Sequence, residues 1–181
     1  SKRLRKMAEE TLELSKLESS EDFNKNKKIS ISDLIMESWQ TLKPRAEKKD
    51  IQIKLFSPTK YYITGDIENL KRAFINILDN AIRYSPTKEG IQIEIFKRDS
   101  SVVIRVRDKG IGLEENESND IFSRFYRGDP SRTKFKKSGS GLGLSITKKI
   151  INNNKGFIKA FNHKDGGAII ETIFPCLNTD L

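Results

Sequence analysis

The chain has 181 residues, of which 35% are hydrophobic and 33% charged, and its formal net charge is +9. This length supports one main domain with a single hydrophobic core and a short appendage. The excess positive charge favours an acidic partner or a phosphorylated ligand. The single cysteine, Cys176, excludes an internal disulfide and a zinc site built from several cysteines. No apolar run approaches the roughly 20 residues that a transmembrane helix requires.

The N-terminal segment, residues 1–18, has the residue spacing of a helix. Its lysine- and glutamate-rich background and its heptad-like apolar positions are typical of the end of a longer coiled or bundled helix. Residues 19–28 are polar and lack periodicity, so they are interpreted as a linker. The main domain is then predicted over residues 29–181. The heptad-like positions are Leu4, Met7, Thr11 and Leu14.

The main domain combines helical and strand patterns. A helix is predicted to begin at Ser30, which forms a capping-box pattern with Asp33, and another is predicted over residues 142–151. Alternating apolar residues predict six strands, the last four of which form two hairpins. Because most strands pair with sequence neighbours, we predict an α/β fold of the α+β type, a two-layer sandwich of helices on a mixed, largely antiparallel sheet. The predicted strands are 51–56, 61–64, 91–96, 102–107, 157–161 and 168–174.

The most informative segment runs from Asp66, a helix N-cap, to Pro86, which ends the helix. One face of this predicted helix is apolar, and the other carries Asn76, Asn80 and Arg83 on one stripe. Asn is a poor helix former, so two Asn residues one turn apart in mid-helix indicate a role beyond solubility. A carboxamide oxygen is a neutral ligand for Mg²⁺ beside anionic phosphates. The alternative is that both Asn residues are simply solvated.

A second feature, Asp108-Lys-Gly-Ile-Gly, follows the strand predicted over residues 102–107. A carboxylate at a strand end accepts a hydrogen bond from an exocyclic amine such as that of adenine. Gly110 and Gly112 allow the backbone to approach a flat ligand. The same pattern also occurs in ordinary turns.

A third feature is the glycine-rich sequence that begins at Gly139 and leads into a helix. Backbone N–H groups at a helix N-terminus bind phosphate, although a flexible loop with a helix cap gives the same pattern. The sequence is neither a Rossmann fingerprint nor a P-loop, and the motifs of ordinary protein kinases are missing. Before it, Phe122, Phe125 and Tyr126 are interpreted as apolar anchors. The polar, basic segment 127–140 is interpreted as a lid that gains order with nucleotide.

Together, in this order, these motifs resemble the N, G1, F and G2 boxes of the sensor histidine kinases, members of the GHKL ATPase superfamily. The resemblance covers nearly the whole chain and implies a GHKL-type ATP-binding fold. It extends to residues 12–18, which look like the end of the second dimerisation-domain helix, and to Phe174-Pro175. The four boxes are Asn76-x-x-x-Asn80, Asp108-x-Gly-x-Gly, Phe122-x-x-Phe125 and Gly139-x-Gly-x-Gly.

The resemblance implies that ATP and Mg²⁺ bind to these boxes. Asn80 is implied as the principal Mg²⁺ ligand, with Asn76 beside it contacting metal or phosphate. Arg83 and Arg127 are implied as the cations near the phosphates, which completes a catalytic set of four residues. The implied nucleotide-binding residues are Asn76, Asn80, Arg83, Tyr84, Asp108, Gly110, Gly112, Phe122, Phe125, Gly139, Gly141, Leu142, Gly143 and Leu144.

The resemblance also implies the reaction and the partners. Family members transfer the γ-phosphoryl group of ATP to a histidine on the first dimerisation helix, and then to an aspartate of a response-regulator receiver domain. The only histidine here, His163, is predicted to be an exposed turn residue away from the mouth of the nucleotide site. The acceptor is therefore expected on the protein's own dimerisation domain, outside this sequence, in a cytoplasmic part of the parent protein.

The full-length protein is expected to be a homodimer, and this fragment mainly monomeric with part of the N-terminal helix exposed. The residues expected to be partly exposed are Leu4, Met7, Leu12 and Leu14. No nucleic-acid partner is expected, because the basic residues are scattered. The other readings are a GHKL serine kinase, a nucleotide-binding pseudokinase and a basic nucleic-acid-binding module.

Overall fold

The computed structural model describes residues 2–19, 26–114, 117–126 and 140–177. The helices are α1 (Lys2–Ser19), α2 (Ile31–Glu47), α3 (Ile67–Tyr84), α4 (Glu117–Asp120) and α5 (Gly143–Asn153). The strands are β1 (Asn26–Ser30), β2 (Gln52–Phe56), β3 (Tyr62–Asp66), β4 (Gly90–Arg98), β5 (Ser101–Arg107), β6 (Phe157–Asn162) and β7 (Ala168–Pro175).

The strands of the described residues form two sheets. Five strands make a mixed sheet in the order β2-β4-β5-β7-β6, in which β2 is parallel to β4 and the other neighbours are antiparallel. β1 and β3 form a separate antiparallel pair. The predicted α+β architecture and both predicted hairpins, β4–β5 and β6–β7, are confirmed.

The core lies between the helices and one face of the five-stranded sheet. The apolar stripe of α3 is buried, and α3 packs between α2 and α5 and against β5. Alternate residues of β4 point into the same core, since Ile91, Ile93 and Ile95 are at most 1% exposed. This packing holds α3 between α2 and α5. The polar stripe of α3 therefore has a fixed position relative to these neighbouring helices.

β1 was not predicted, and its first three residues belong to the segment interpreted as a linker. It pairs with β3 from Asn26↔Asp66 to Ser30↔Tyr62. The Asn-Lys-Lys sequence has no apolar alternation, so its strand conformation depends on this long-range pairing.

The start of α2 was predicted correctly, but its capping box is not formed. Ser30 is the N-cap residue, yet its side chain makes no capping hydrogen bond and its hydroxyl lies 3.3 Å from that of Ser32. Asp33 instead pairs with Lys60 at 3.3 Å.

α1 packs on the main domain through its C-terminal half. Leu14 is only 4% exposed, so its predicted exposure is wrong, whereas Leu4 and Leu12 are exposed as predicted. The Asn153 side chain of α5 also donates a hydrogen bond to the Leu17 carbonyl at 2.9 Å. The described helices include none with the length and apolar character to cross a membrane.

Candidate functional site

The polar stripe of α3 begins from a fixed helix start. The Asp66 carboxylate accepts a hydrogen bond from the Asn69 backbone N–H at 3.1 Å, which confirms the predicted N-cap. Asn76, Asn80 and Arg83 are all half-buried on this helix. The cap thus fixes where the helix begins, and the rest of the domain partly covers the three stripe residues.

Asn76 connects α3 to the start of α5. Its amide group donates to the Gly143 carbonyl at 3.3 Å and to the Thr147 hydroxyl at 3.4 Å. The Thr147 hydroxyl in turn donates to the same Gly143 carbonyl at 2.9 Å. Two predicted motifs, the asparagine stripe and the glycine-rich segment, are therefore adjacent in the fold. Because the amide nitrogen makes these contacts, the carboxamide oxygen of Asn76 is the atom available to a ligand.

Asn80 lies one turn further along α3, and its side chain has no hydrogen bond to any residue that the structure describes. Mg²⁺ is bound in nucleotide sites by one or two protein oxygens together with phosphate oxygens and water. The carboxamide oxygens of Asn76 and Asn80 fit that donor set. Within the described residues, no group of three or more His, Cys, Asp or Glu side chains offers an alternative protein-only metal site.

Arg83 follows Asn80 on the stripe and is held by an acidic neighbour. Its Nη2 lies 3.3 Å from Asp79 Oδ2, and Arg45 of α2 pairs with the other oxygen of Asp79. The Nε of Arg83 is buried and has no hydrogen-bond partner among the described residues. Arg83 is thus oriented by Asp79, and its guanidinium is a cation on the same helix stripe as Asn80.

Asp108 stands at the end of β5, as predicted. Its Oδ1 accepts hydrogen bonds from the backbone N–H groups of Gly110 at 2.8 Å and Ala168 at 3.1 Å. Its Oδ2 accepts none from the described residues. Burial raises the pKa of Asp108, and the opposing effects of the two hydrogen bonds and of Arg107 do not offset it. A carboxylate that is held through one oxygen, and whose other oxygen has no hydrogen bond to the described residues, suits the exocyclic amine of a base.

The two glycines after Asp108 are required by contacts within the protein. A Cβ on Gly110 would lie 2.7 Å from the Tyr84 carbonyl oxygen at the end of α3. Gly112 has φ +75°, and a Cβ there would lie 2.7 Å from Asn162 Oδ1. The loop is therefore packed between the end of α3 and β6. This packing is why both positions require glycine, and the sequence did not reveal it.

The β6–β7 turn also packs against this loop. Asn162, at the end of β6, makes two hydrogen bonds to the backbone of Leu113. Its Oδ1 accepts from the Leu113 N–H at 2.7 Å, and its Nδ2 donates to the Leu113 carbonyl at 2.8 Å. His163 lies in the turn, as predicted, but it is half-buried and not exposed. Its Nδ1 accepts a hydrogen bond from the Asp165 N–H at 3.0 Å. The turn is nevertheless closer to the predicted nucleotide site than expected, because it borders the loop that begins at Asp108.

Glycine 141 brings the aromatic segment against the start of α5. It has φ +80°, and a Cβ there would lie 2.8 Å from the Phe125 carbonyl carbon. Phe122 is buried, as predicted for an anchor, but Phe125 is 51% exposed, so its predicted burial as an anchor is wrong. Tyr126 donates a hydrogen bond to Glu117 at 2.5 Å, and burial together with this carboxylate raises the pKa of Tyr126.

The remaining predicted residues are packed in the core, exposed or outside the described residues. Leu142 is 1% exposed and Leu144 packs against the core, so both are core residues at the start of α5. Tyr84, at the end of α3, is exposed. Arg127, Gly139 and the rest of the predicted lid up to residue 139 lie outside the described residues.

The chain is similar in sequence to a known ATPase family and to sensor histidine kinases. Residues 65–178 match the family described as histidine kinase-, DNA gyrase B-, and HSP90-like ATPase. The sensor-like histidine kinase SenX3 of Mycobacterium tuberculosis is 31% identical over 175 residues, which cover 97% of this chain and 42% of SenX3. The chain spans less than half the length of the curated relatives that it matches.

Solved structures show the same fold. The mycobacterial sensor histidine kinase MprB superposes with a TM-score of 0.73 at 26% identity, covering 83% of this chain and 97% of that chain. Full-length ShkA, solved in complex with AMPPNP, has a TM-score of 0.80 at 23% identity and covers 96% of this chain and 36% of that chain. Since the family match includes more than half of the chain, this protein belongs to the histidine kinase-, DNA gyrase B- and HSP90-like ATPases, and its relatives are sensor histidine kinases.

Proposed function

We propose that this chain binds Mg·ATP and transfers the γ-phosphoryl group to a histidine of its own dimerisation domain, which then passes it to an aspartate of a response-regulator receiver domain. The observation that carries the proposal is the contact of Asn76 with Gly143, 67 residues away. It brings the asparagine stripe and the glycine-rich helix start to one place, as a nucleotide-phosphate site requires.

The adenine side of the site is assigned to the loop that begins at Asp108. The free Oδ2 of Asp108 accepts a hydrogen bond from the adenine amine, and Oδ1 stays bound to Gly110 and Ala168. Tyr84 contributes to the same side from the end of α3. Gly112 contributes by keeping the loop packed on Asn162.

The phosphate side is assigned to α3 and to the start of α5. Asn80 and Asn76 hold Mg²⁺, which when bound neutralises charge on the phosphate oxygens. Arg83, oriented by Asp79, approaches the phosphates, and Arg127 is assigned to the γ-phosphate. The glycine-rich residues 139, 141 and 143 supply backbone N–H groups to the phosphates.

The nucleophile of the reaction is the imidazole of the acceptor histidine. The residues of this domain therefore position the reacting groups and neutralise charge, and they do not abstract a proton. We assign the acceptor to the dimerisation domain, of which α1 is the end of the second helix. The full-length protein is proposed to be a homodimer, and the present chain to be a cytoplasmic part of it. This chain by itself is proposed to be mainly monomeric and to have no nucleic-acid partner. A homologous fold, that of ThkA, was solved in complex with the response regulator TrrA.

Two measurements test the proposal. Titration with AMPPNP should give tight binding with Mg²⁺ and weaker binding without it, and no binding would overturn the proposed function. Incubation with γ-labelled ATP should label a separately expressed dimerisation domain of the parent protein, with label that is lost in acid. Acid-stable label would indicate a serine kinase, and nucleotide binding without any transfer would indicate a pseudokinase.

The same incubation without the dimerisation domain should leave this chain unlabelled. His163→Ala is the control. Acid-labile label on the chain alone that disappears in His163→Ala would contradict the assignment of an external acceptor.

A further inference from the structure

Lys49 follows α2 and binds the end of α3. Its ammonium group donates hydrogen bonds to the carbonyl oxygens of Ile82 at 2.7 Å, Arg83 at 3.1 Å and Ser85 at 2.6 Å. The last carbonyls of a helix have no partner within the helix, and a cation there also interacts favourably with the helix dipole. One ammonium group thus lies within hydrogen-bond distance of three carbonyls of one helix end.

The protein keeps this cation in an unfavourable place. Lys49 is half-buried, and burial followed by the neighbouring Arg45 lowers its pKa. Its own backbone is also fixed, since the Lys49 carbonyl accepts a hydrogen bond from the Lys88 N–H at 2.9 Å. A solvated lysine in a turn shows none of these features, so the contact has a definite structural role.

The other side of the same helix end contacts the loop that begins at Asp108. The Ser85 hydroxyl accepts a hydrogen bond from the Lys109 N–H at 3.3 Å. Gly110 lies so close to the Tyr84 carbonyl that a Cβ would be 2.7 Å from it. Residues 83–85 are therefore held between Lys49 on one side and the loop of Asp108 on the other.

We propose that Lys49 is a positioning residue that fixes Asp108 relative to Asn80, and so sets the distance between the adenine-binding carboxylate and the metal-binding stripe. Lys49 acts through the backbone of residues 82–85 and not by contact with the nucleotide. The inference rests on the proposed function, in which Asp108 binds the adenine amine. This positioning gives selectivity for adenine. Without Lys49, Asp108 is displaced and its carboxylate no longer meets the adenine amine, while the phosphates still bind.

The test compares the affinities of the 181-residue chain for ATP and for ITP, whose hypoxanthine base carries an oxygen in place of the adenine amine. The parental chain should prefer ATP. Lys49→Met should lower the ATP-to-ITP affinity ratio about tenfold, the size of one hydrogen bond to a charged group, mainly by weakening ATP. Lys49→Arg, which keeps a charged multiple donor, should retain most of the ratio. Lys48→Met is the matched control, since Lys48 is exposed beside Lys49.

The outcomes separate this inference from the proposed function. A folded Lys49→Met variant that weakens ATP and ITP equally, or neither, would overturn the positioning role. If Lys49→Met does not fold, Ser85→Ala decides, because it removes the bond to Lys109 with little change in volume and should lower the same ratio. An unchanged ratio in Ser85→Ala would also overturn the inference. A parental chain that binds ATP without preferring it to ITP would refute the role of Asp108, and one that binds neither would refute the proposed function.

Discussion

The two halves of the candidate site differ in how far the protein itself has organised them. On the base side, which is the adenine side of the proposed site, Asp108 is held through Oδ1 by two backbone N–H groups. Its loop is packed against α3 and β6. On the metal side, which is the phosphate side of the proposed site, the Asn80 side chain has no hydrogen bond to the described residues. The buried Nε of Arg83 also has no partner among them. The base side is preorganised, whereas the metal side retains polar groups that a charged ligand would satisfy.

The difference follows from the charges of the expected ligand parts. A base presents neutral donors and acceptors, so a fixed carboxylate and close-packed backbone recognise it without rearrangement. Phosphates and Mg²⁺ bring their own charges, and a side chain without an internal hydrogen bond, such as that of Asn80, can bind them without breaking an existing contact. The substitutions below should therefore act through ligand binding on the metal side and through preorganisation on the base side.

The largest effect is expected for Asn80→Ala. Removal of the proposed principal metal ligand should reduce Mg²⁺-dependent phosphoryl transfer to the dimerisation domain by more than about 100-fold. The melting temperature should stay near the parental value, since a half-buried polar side chain without an internal bond leaves no cavity. Asn152→Ala, an exposed asparagine on α5, is the control. Transfer at the parental rate would show that Asn80 does not bind the metal.

A smaller effect is expected for Asp108→Asn. The affinity for ATP should fall by about 10- to 100-fold, because a neutral amide binds the adenine amine more weakly than a carboxylate and presents a donor of its own. Stability should be unchanged or higher, since burial raises the pKa of Asp108 and the ionised group is therefore a cost to the fold. Calorimetric titration and thermal unfolding measure both, with Asp99→Asn in the β4–β5 turn as control. Parental ATP affinity in Asp108→Asn would refute the assignment.

The sequence predicted those features of the two sides that depend on a local residue pattern. The apolar period of α3 located Asn76, Asn80 and the N-cap Asp66, and the alternation of β5 placed Asp108 at a strand end. These features are encoded within a few residues of each other, so periodicity and capping chemistry reveal them.

The parts that were missed depend on contacts between distant residues. Lys49 reaches carbonyls 33 to 36 positions away, and in the sequence it is one of three charged residues in a turn. β1 takes its conformation from β3. Phe125 has a positive φ and is exposed, and its backbone lies against Gly141. Tertiary contacts decide such positions, and no local pattern encodes them.

The pH dependence of ATP binding should come from the base side. The raised pKa means that the folded state takes up a proton on Asp108 at a higher pH than the unfolded chain does, so the stability contributed by this group increases as pH falls through the folded pKa. ATP binding shows the opposite trend, because protonation removes the acceptor charge. The ATP-to-ITP affinity ratio should therefore decline several-fold as pH is lowered toward the raised pKa. In Asp108→Asn the ratio should not vary with pH, and a decline that persisted there would assign the effect to another group.

The smallest effect is expected for Thr147→Val, which tests whether the protein contributes any preorganisation to the metal side. The Thr147 hydroxyl accepts from the Asn76 amide and donates to the Gly143 carbonyl, so its loss leaves Asn76 with one partner. The gain in AMPPNP affinity on adding Mg²⁺ should shrink about threefold, roughly the value of one hydrogen bond, while the ATP-to-ITP ratio stays parental. Thr172→Val is the matched control, because Thr172 is also buried and its hydroxyl has no partner in the described part of the chain. An unchanged Mg²⁺ effect in Thr147→Val would mean that the ligand alone orders the metal side, and a changed ATP-to-ITP ratio would mean that the two sides are not independent.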